Sequence, residues 1–255
     1  MITLYQFTIS QFCEKARWAI DHKGLIYKTE NLLPGSHERT ARKVSDSTQL
    51  PILRHGMTYV QGSGNIITFL DESYQTRLLT PEDPALKKEV LELERRLDKD
   101  AGLHLRRFFY THMLQDPRQL RRLITLYGPW YRNNFYTLLL PAIKKRMVKD
   151  MKLNALEAER SRLIINTLLL HLDERLENRD YLVGDHFTRA DLTAAALLSP
   201  ICQPIEHPYY TEDLTLPSDL AEIRERLKDR PFYHWVSKIY QKHRWEVKPS
   251  DRYTR

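Results

Sequence analysis

Ser10 and Cys13 stand three residues apart, where an apolar, β-prone run over residues 2–7 gives way to a helical pattern. That location matters chemically. The first turn of a helix carries unpaired N–H groups and the positive end of the macrodipole, so it stabilises an anion such as a thiolate. The Ser10 hydroxyl can donate a hydrogen bond to such a sulfur. Lowering a thiol pKa by two units requires about 2.7 kcal/mol. A hydrogen bond to a charged acceptor contributes about 1.5–3 kcal/mol and a helix end up to about 2 kcal/mol, so neither a metal nor a general base is needed. Ser10 is equally suited to serve as a plain N-cap. Cys13 also has two readings: a redox thiol able to form a mixed disulfide, or a small apolar residue on the inner face of the helix.

These groups need elements to place them. Residues 2–7 read as a first strand, 11–22 as a helix closed by Gly24, and 27–31 as a second strand, which together imply a right-handed parallel crossover. The polar stretch 37–47 is irregular or weakly helical. Residues 51–54 and 57–61 form a hairpin about His55-Gly56, and Ser63 caps a helix reaching about Tyr74. Residues 77–84, with two prolines and no periodicity, read as a linker between a domain at 1–76 and another at 85–255. Beyond the linker the periodicity is helical. Leu86, Val90, Leu93 and Leu97 make one amphipathic stripe. Residues 160–178 are apolar over more than half their circumference and read as the central helix of a bundle. Residues 190–199 are small and apolar, 200–217 form a proline-rich loop, and 218–227 and 231–243 are two final helices.

Composition bounds the function. The 255 residues include only two cysteines, Cys13 and Cys202, which excludes a disulfide scaffold and fits a reducing, cytoplasmic compartment. The ten histidines lack zinc-ligand spacing, so no metal site is expected. The net charge of +7 is spread among interleaved acids, as on solvated helix faces, which argues against nucleic-acid binding. No run is long and apolar enough to span a bilayer, and residues 1–7 do not resemble a signal peptide. Residues 139–153 are basic and amphipathic, a pattern that fits either a solvated surface helix or contact with an anionic membrane surface. Aromatics at 127–136 could wall an apolar substrate site or pack between helices.

Three further motifs accompany Ser10. Gln49-Leu50-Pro51 opens a strand as does the cis-proline segment of the thioredoxin fold. Gln61-Gly62-Ser63-Gly64 leads into a helix, and Thr188-Arg189-Ala190-Asp191 after Phe187 forms a capping box with a hydrophobic staple onto Leu192. With residues 12–19 and Asp229-Arg230-Pro231-Phe232, they resemble the cytosolic glutathione S-transferase superfamily, nearest its theta-like, serine-using branch. The resemblance implies a thioredoxin-like α/β domain plus an all-α helical bundle, a homodimer, and glutathione as co-substrate. It implies Ser10 as the catalytic hydroxyl. Glutathione would be held around Phe12, His37, Gln49, the Leu50 backbone, Pro51, Gln61, Gly62 and Ser63. Gly62 departs from the family pattern, which has Glu or Gln immediately before the serine.

The expected activity is transfer of the glutathione thiolate to a hydrophobic electrophile, in detoxification or in a dedicated catabolic step. Two other classes stay open: a glutathione-dependent thiol–disulfide or peroxide reductase using Cys13, and a non-catalytic binding protein of the same fold.

Overall fold

The computed structural model describes residues 1–35, 37–45, 47–125, 132–210 and 216–245. Strand β1 (Ile2–Gln6) leads through α1 (Gln11–His22) into β2 (Tyr27–Asn31), which pairs with β1 in parallel. A short α2 (His37–Ala41) follows, then the hairpin β3 (Ile52–His55) and β4 (Thr58–Gln61), and α3 (Ser63–Ser73). The sheet order is β2-β1-β3-β4, with β3 antiparallel to both of its neighbours. The alternation in β1 points Ile2 and Leu4 into the core, where α1 and α3 cover one sheet face. This is the thioredoxin-like unit expected at the N-terminal end of the chain. Met57 lies in the hairpin turn rather than in β4, and it is almost wholly exposed.

The rest of the chain is helical. α4 (Pro84–Leu97) continues through a π-helical segment (Asp98–Leu103) into α5 (His104–Met113). Then come α6 (Pro117–Thr125), α7 (Arg132–Met151), α8 (Ala155–Arg175), α9 (Arg189–Cys202), α10 (Ser218–Leu227) and α11 (Pro231–His243). The stripe on α4 buries Val90, Leu93 and Leu97, while Leu86 stays on the surface. Among the described residues no helix is long and apolar enough to cross a membrane.

Two expectations are corrected here. The central helix is α9, not the one containing 160–178. Nearly every residue of α9 is buried, between α1, α4 and α11, whereas α8 leaves Leu156, Leu163 and Leu170 exposed. Small side chains win the centre because they let three helices approach at once. The proline-rich loop also begins later than Pro200, which lies inside α9. Pro200 has no N–H for the carbonyl four residues back. The Ser199 hydroxyl supplies that bond instead, donating to Ala196 O at 2.9 Å. The helix ends at Gln203, in the left-handed region at φ 44°. At its other end Thr188 and Asp191 form the anticipated capping box.

The charged residues of α1 are buried. Glu14, Lys15 and Arg17 have no exposed surface. Lys15 sits 2.8 Å from both Glu94 and Asp98, and Arg189 2.7 Å from Glu94. Arg189 also donates to Gly64 O at 2.8 Å, which ties the first turn of α3 to α9. α7 turns Met147 inward and spreads its lysines on the surface, and its Arg146 reaches Glu38 of α2 at 2.7 Å.

Candidate active site

Strand register gathers the candidate residues at one edge of the sheet. Tyr5 pairs with Ile52, and Ile52 with Gln61. The exit of β1, the entry to β3 and the exit of β4 therefore coincide there, bringing together the turn to Ser10, Pro51, and Gly62-Ser63. The Leu50–Pro51 peptide is cis, and Gly62 N–H donates to Pro51 O at 3.0 Å, locking the hairpin start to the α3 start.

Ser10 precedes α1 in extended conformation (φ −74°, ψ 124°), and its carbonyl accepts from Glu14 N–H at 2.8 Å. Its side chain makes no capping bond. A half-buried hydroxyl thus stands at the open end of a helix without being used to close it. Cys13, one turn on, is fully buried. Burial pushes its thiol pKa up, against opposing contributions from Arg17 and the Ser10 hydroxyl. Both features are the reverse of what a reactive thiol requires.

At α3 the expected cap is corrected. Gly62, at φ 91° and ψ 136°, is the N-cap, and Ser63 is the first helical residue, buried with its N–H in the donor-rich first turn. The backbone dihedrals explain the glycine, since an L side chain is strained at that φ. Gln61 faces back toward the loop before Pro51. Its amide nitrogen donates to Ser47 O at 2.9 Å and Gln49 O at 2.7 Å, and its oxygen accepts from the Ser45 hydroxyl. Gln49 is exposed and Leu50 half-buried at the sheet edge. His37 packs edge-on to Phe7 at 4.8 Å, and its Nδ1 accepts from Gly35 N–H at 3.1 Å. Burial holds its pKa down, with Glu38 opposing.

The π-helical segment that leads into α5 meets the first turn of α1. Gln11 Nε2 donates to Gly102 O at 2.9 Å, so a carbonyl left over by the π turn is satisfied from α1. The tip of the Phe12 ring meets Gly102, where a Cβ would stand 2.2 Å from Phe12 Cζ. On α5, Leu105, Arg107 and Phe108 are buried, and Arg107 pairs with Glu157 of α8 at 3.0 Å. The strip continuing from Gly102, formed by Arg106, Phe109 and Tyr110, is only half-buried. The aromatics at 127–131 lie outside the described residues, as do the side chains of Phe135 and Tyr136.

A buried charge network beneath the site escaped the sequence reading. Glu14 accepts from Arg244 Nε at 2.7 Å and Arg17 Nε at 2.9 Å. Burial raises its pKa, but Arg244, His207 and Arg17 prevail and hold the carboxyl at about 2. Arg17 Nη2 also donates to Thr8 O at 3.0 Å, bracing the turn that presents Ser10. One signal was present: Trp18 follows Glu14 by four residues and precedes Asp21 by three, so a large aromatic sits within the charged side of α1.

Residues 4–78 match the family described as glutathione S-transferase, N-terminal domain, and residues 135–205 the glutathione S-transferase, C-terminal domain, together more than half of the chain. No curated protein matches. Among solved structures, the chain is similar to the β-etherase LigF from Sphingobium sp. strain SYK-6 (TM-score 0.62, 17% identity, covering 93% of this chain and 98% of that one). It is similar to a glutathione S-transferase from Rhodospirillum rubrum F11 (0.59, 20%, covering 92% and 91%). It also resembles the theta class glutathione S-transferase from Xanthomonas axonopodis pv. citri with glutathione bound (0.56, 19%, covering 91% and 95%).

Proposed function

The chain belongs to the glutathione S-transferase superfamily, and on that premise we propose that it transfers the thiolate of glutathione to an electrophilic carbon of a hydrophobic compound. The observation carrying this reading is the Ser10 hydroxyl, left unused as a cap at the open end of α1 and sharing a sheet edge with cis-Pro51 and the start of α3. The tripeptide lies along the Leu50 backbone. Ser63 and the first-turn N–H groups of α3 take its γ-glutamyl carboxylate, and His37 stands near its glycyl end. Gln61 acts through the loop it holds at Ser47 and Gln49. Ser10 donates to the sulfur and, with the helix end, keeps it ionised. The thiolate then forms a carbon–sulfur bond while the leaving group departs with its electron pair. Catalysis is anion stabilisation plus proximity. That a structurally similar theta class enzyme carries bound glutathione supports the co-substrate.

The domains run 1–76 and 85–255 about the 77–84 linker. A cytoplasmic homodimer completes the proposal. It is supported by free Cys13 and Cys202 and by the exposed Leu156, Leu163 and Leu170, spaced seven apart along one side of α8.

The test is calorimetric titration with glutathione, followed by ultraviolet thiolate absorbance against pH, in wild type and Ser10→Ala. Binding with a depressed thiol pKa that rises in Ser10→Ala is the expected result. Binding with a thiolate unchanged by the substitution removes Ser10 from the mechanism, and no binding at millimolar glutathione leaves a binding protein of transferase fold.

A further inference from the structure

We propose, resting on the transfer reading above, that Arg106 is the recognition residue for a carboxylate carried by the electrophile. Arg106 lies on the α5 strip that continues from Gly102, the residue touched by Gln11 and Phe12 directly after Ser10. Its neighbours along α5 separate two faces. Leu105, Arg107 and Phe108 are buried, with Arg107 bonded to Ser161 and Glu157 of α8, while Arg106 and Tyr110 are only half-buried.

Its chemistry is unfinished. Among the described residues, four buried guanidinium nitrogens lack a hydrogen bond, on Arg106, Arg189, Arg230 and Arg244. Arg189, Arg230 and Arg244 are already in ion pairs with Glu94, Asp173 and Glu14. Arg106 has neither a hydrogen bond nor an acidic partner among the described residues. A guanidinium removed from water without a counter-ion is costly, whereas a planar carboxylate pairs with it at two points. The charge beside it is Arg107, of like sign and already neutralised by Glu157. Tyr110 sits close by, and burial pushes its pKa up, so it stays a neutral O–H able to donate to the same anion. The ring of an aromatic acid would meanwhile rest on Phe109.

The test pairs 4-chloro-3,5-dinitrobenzoate with its uncharged amide. In both, the glutathione sulfur bonds to the ring carbon bearing chlorine, and chloride leaves with the bonding pair. The unreactive 3,5-dinitrobenzoate and 3,5-dinitrobenzamide supply a calorimetric binding readout that does not depend on turnover. The acid is expected to be preferred by about tenfold or more in both kcat/KM and Kd, the scale of a hydrogen-bonded charge. That preference should fall to within about twofold in Arg106→Gln and stay intermediate in Arg106→Lys, because a point charge replaces only part of a fork. No acid preference in wild-type binding, or a preference that survives Arg106→Gln, overturns the inference. Turnover of both electrophiles without preference sinks the Arg106 assignment and leaves the transferase reading standing. Binding preference lost in Arg106→Gln, with neither electrophile turned over, supports the anion site and counts against the transfer reading instead.

Discussion

Arg244 Nε lies 2.7 Å from Glu14 Oε1, and Arg244 Nη1 lies 2.9 Å from Asp21 Oδ2, so the end of α11 is fastened to two turns of the helix that begins beyond Ser10. All three side chains are essentially inaccessible to water. Removing one member of such a set leaves uncompensated buried charge, which costs about 3–5 kcal/mol. Arg244→Met is therefore expected to lower unfolding free energy by about that amount in urea titrations. The double variant Glu14→Gln, Arg244→Met should be less destabilised than the sum of the two singles, since it removes both ends of one contact. A loss under about 1 kcal/mol in Arg244→Met would mean that the pair adds little to the fold.

The same network predicts acid sensitivity. His207 stacks on Tyr210 with ring centroids 3.7 Å apart and lies 3.8 Å from Glu14. Burial drives its pKa down to about 3, with Glu14 opposing. A group whose folded pKa is depressed loses its contribution as pH falls, because the unfolded chain takes up the proton first. For His207 that loss begins near the ordinary histidine value of 6.5 and runs toward about 3. Glu14, held at about 2, adds its own loss only below its ordinary value of 4.5. Urea midpoints between about pH 7 and 5 should therefore fall with acidification in wild type and fall less in His207→Gln. Equal slopes in the two proteins would place His207 outside the acid response.

The parts of the fold that were legible are those set by local pattern. α11 runs over residues 231–243, as the Pro start and apolar spacing require, and the capping box at Thr188 and Asp191 forms as its four-residue signature says. What stayed hidden depends on partners far apart in the chain. Glu14, Lys15 and Arg17 give no local sign of burial, because their partners lie far off in the chain, Asp98 at 83 positions and Arg244 at 230. Pro200 broke the helix on paper because the repair comes from a neighbouring hydroxyl rather than from backbone. In the site, Ser10 and the Leu50-Pro51 turn could be picked out by residue type. The role of Gln61 could not, since its bonds to Ser47 and Gln49 follow from how the loop closes.

Asp191 is the clearest stability determinant of α9. Its carboxylate accepts from Leu182 N–H at 2.7 Å, Thr188 N–H at 2.8 Å and the Thr188 hydroxyl at 2.9 Å. Loss of a cap costs about 0.5–2 kcal/mol and an orphaned buried N–H about 1–3, so Asp191→Ala should lose about 2–4 kcal/mol in thermal or urea unfolding. Burial raises this carboxyl to about 6, against the opposing hydrogen bonds. A folded pKa above the ordinary 3.8 makes stability decline as pH rises from about 4 to about 6. This slope runs opposite to that of His207, and it cancels when wild type is compared with His207→Gln. A pH profile of Asp191→Ala that keeps the wild-type slope in this window would count against the raised pKa.

Gly102 gives a prediction whose sign is diagnostic. In an exposed helix, replacing glycine by alanine ordinarily stabilises by up to about 1 kcal/mol. Here an added Cβ would stand 2.2 Å from Cζ and 2.9 Å from Cε1 of Phe12, a ring held on the first turn of α1. The neighbouring Gln11 bond to Gly102 O, at 2.9 Å, keeps the two segments from drifting apart. Phe12 must therefore move or the π-helical segment must separate from α1. Overpacking of this kind costs about 1–3 kcal/mol, so Gly102→Ala should destabilise rather than stabilise. Because the displaced ring is two residues from Ser10, the variant should also raise the pKa of bound glutathione thiol, read by ultraviolet absorbance. Adding Phe12→Leu, which vacates the ring, should recover most of the stability lost in Gly102→Ala. A Gly102→Ala protein more stable than wild type would show that Phe12 does not pack on Gly102 in solution.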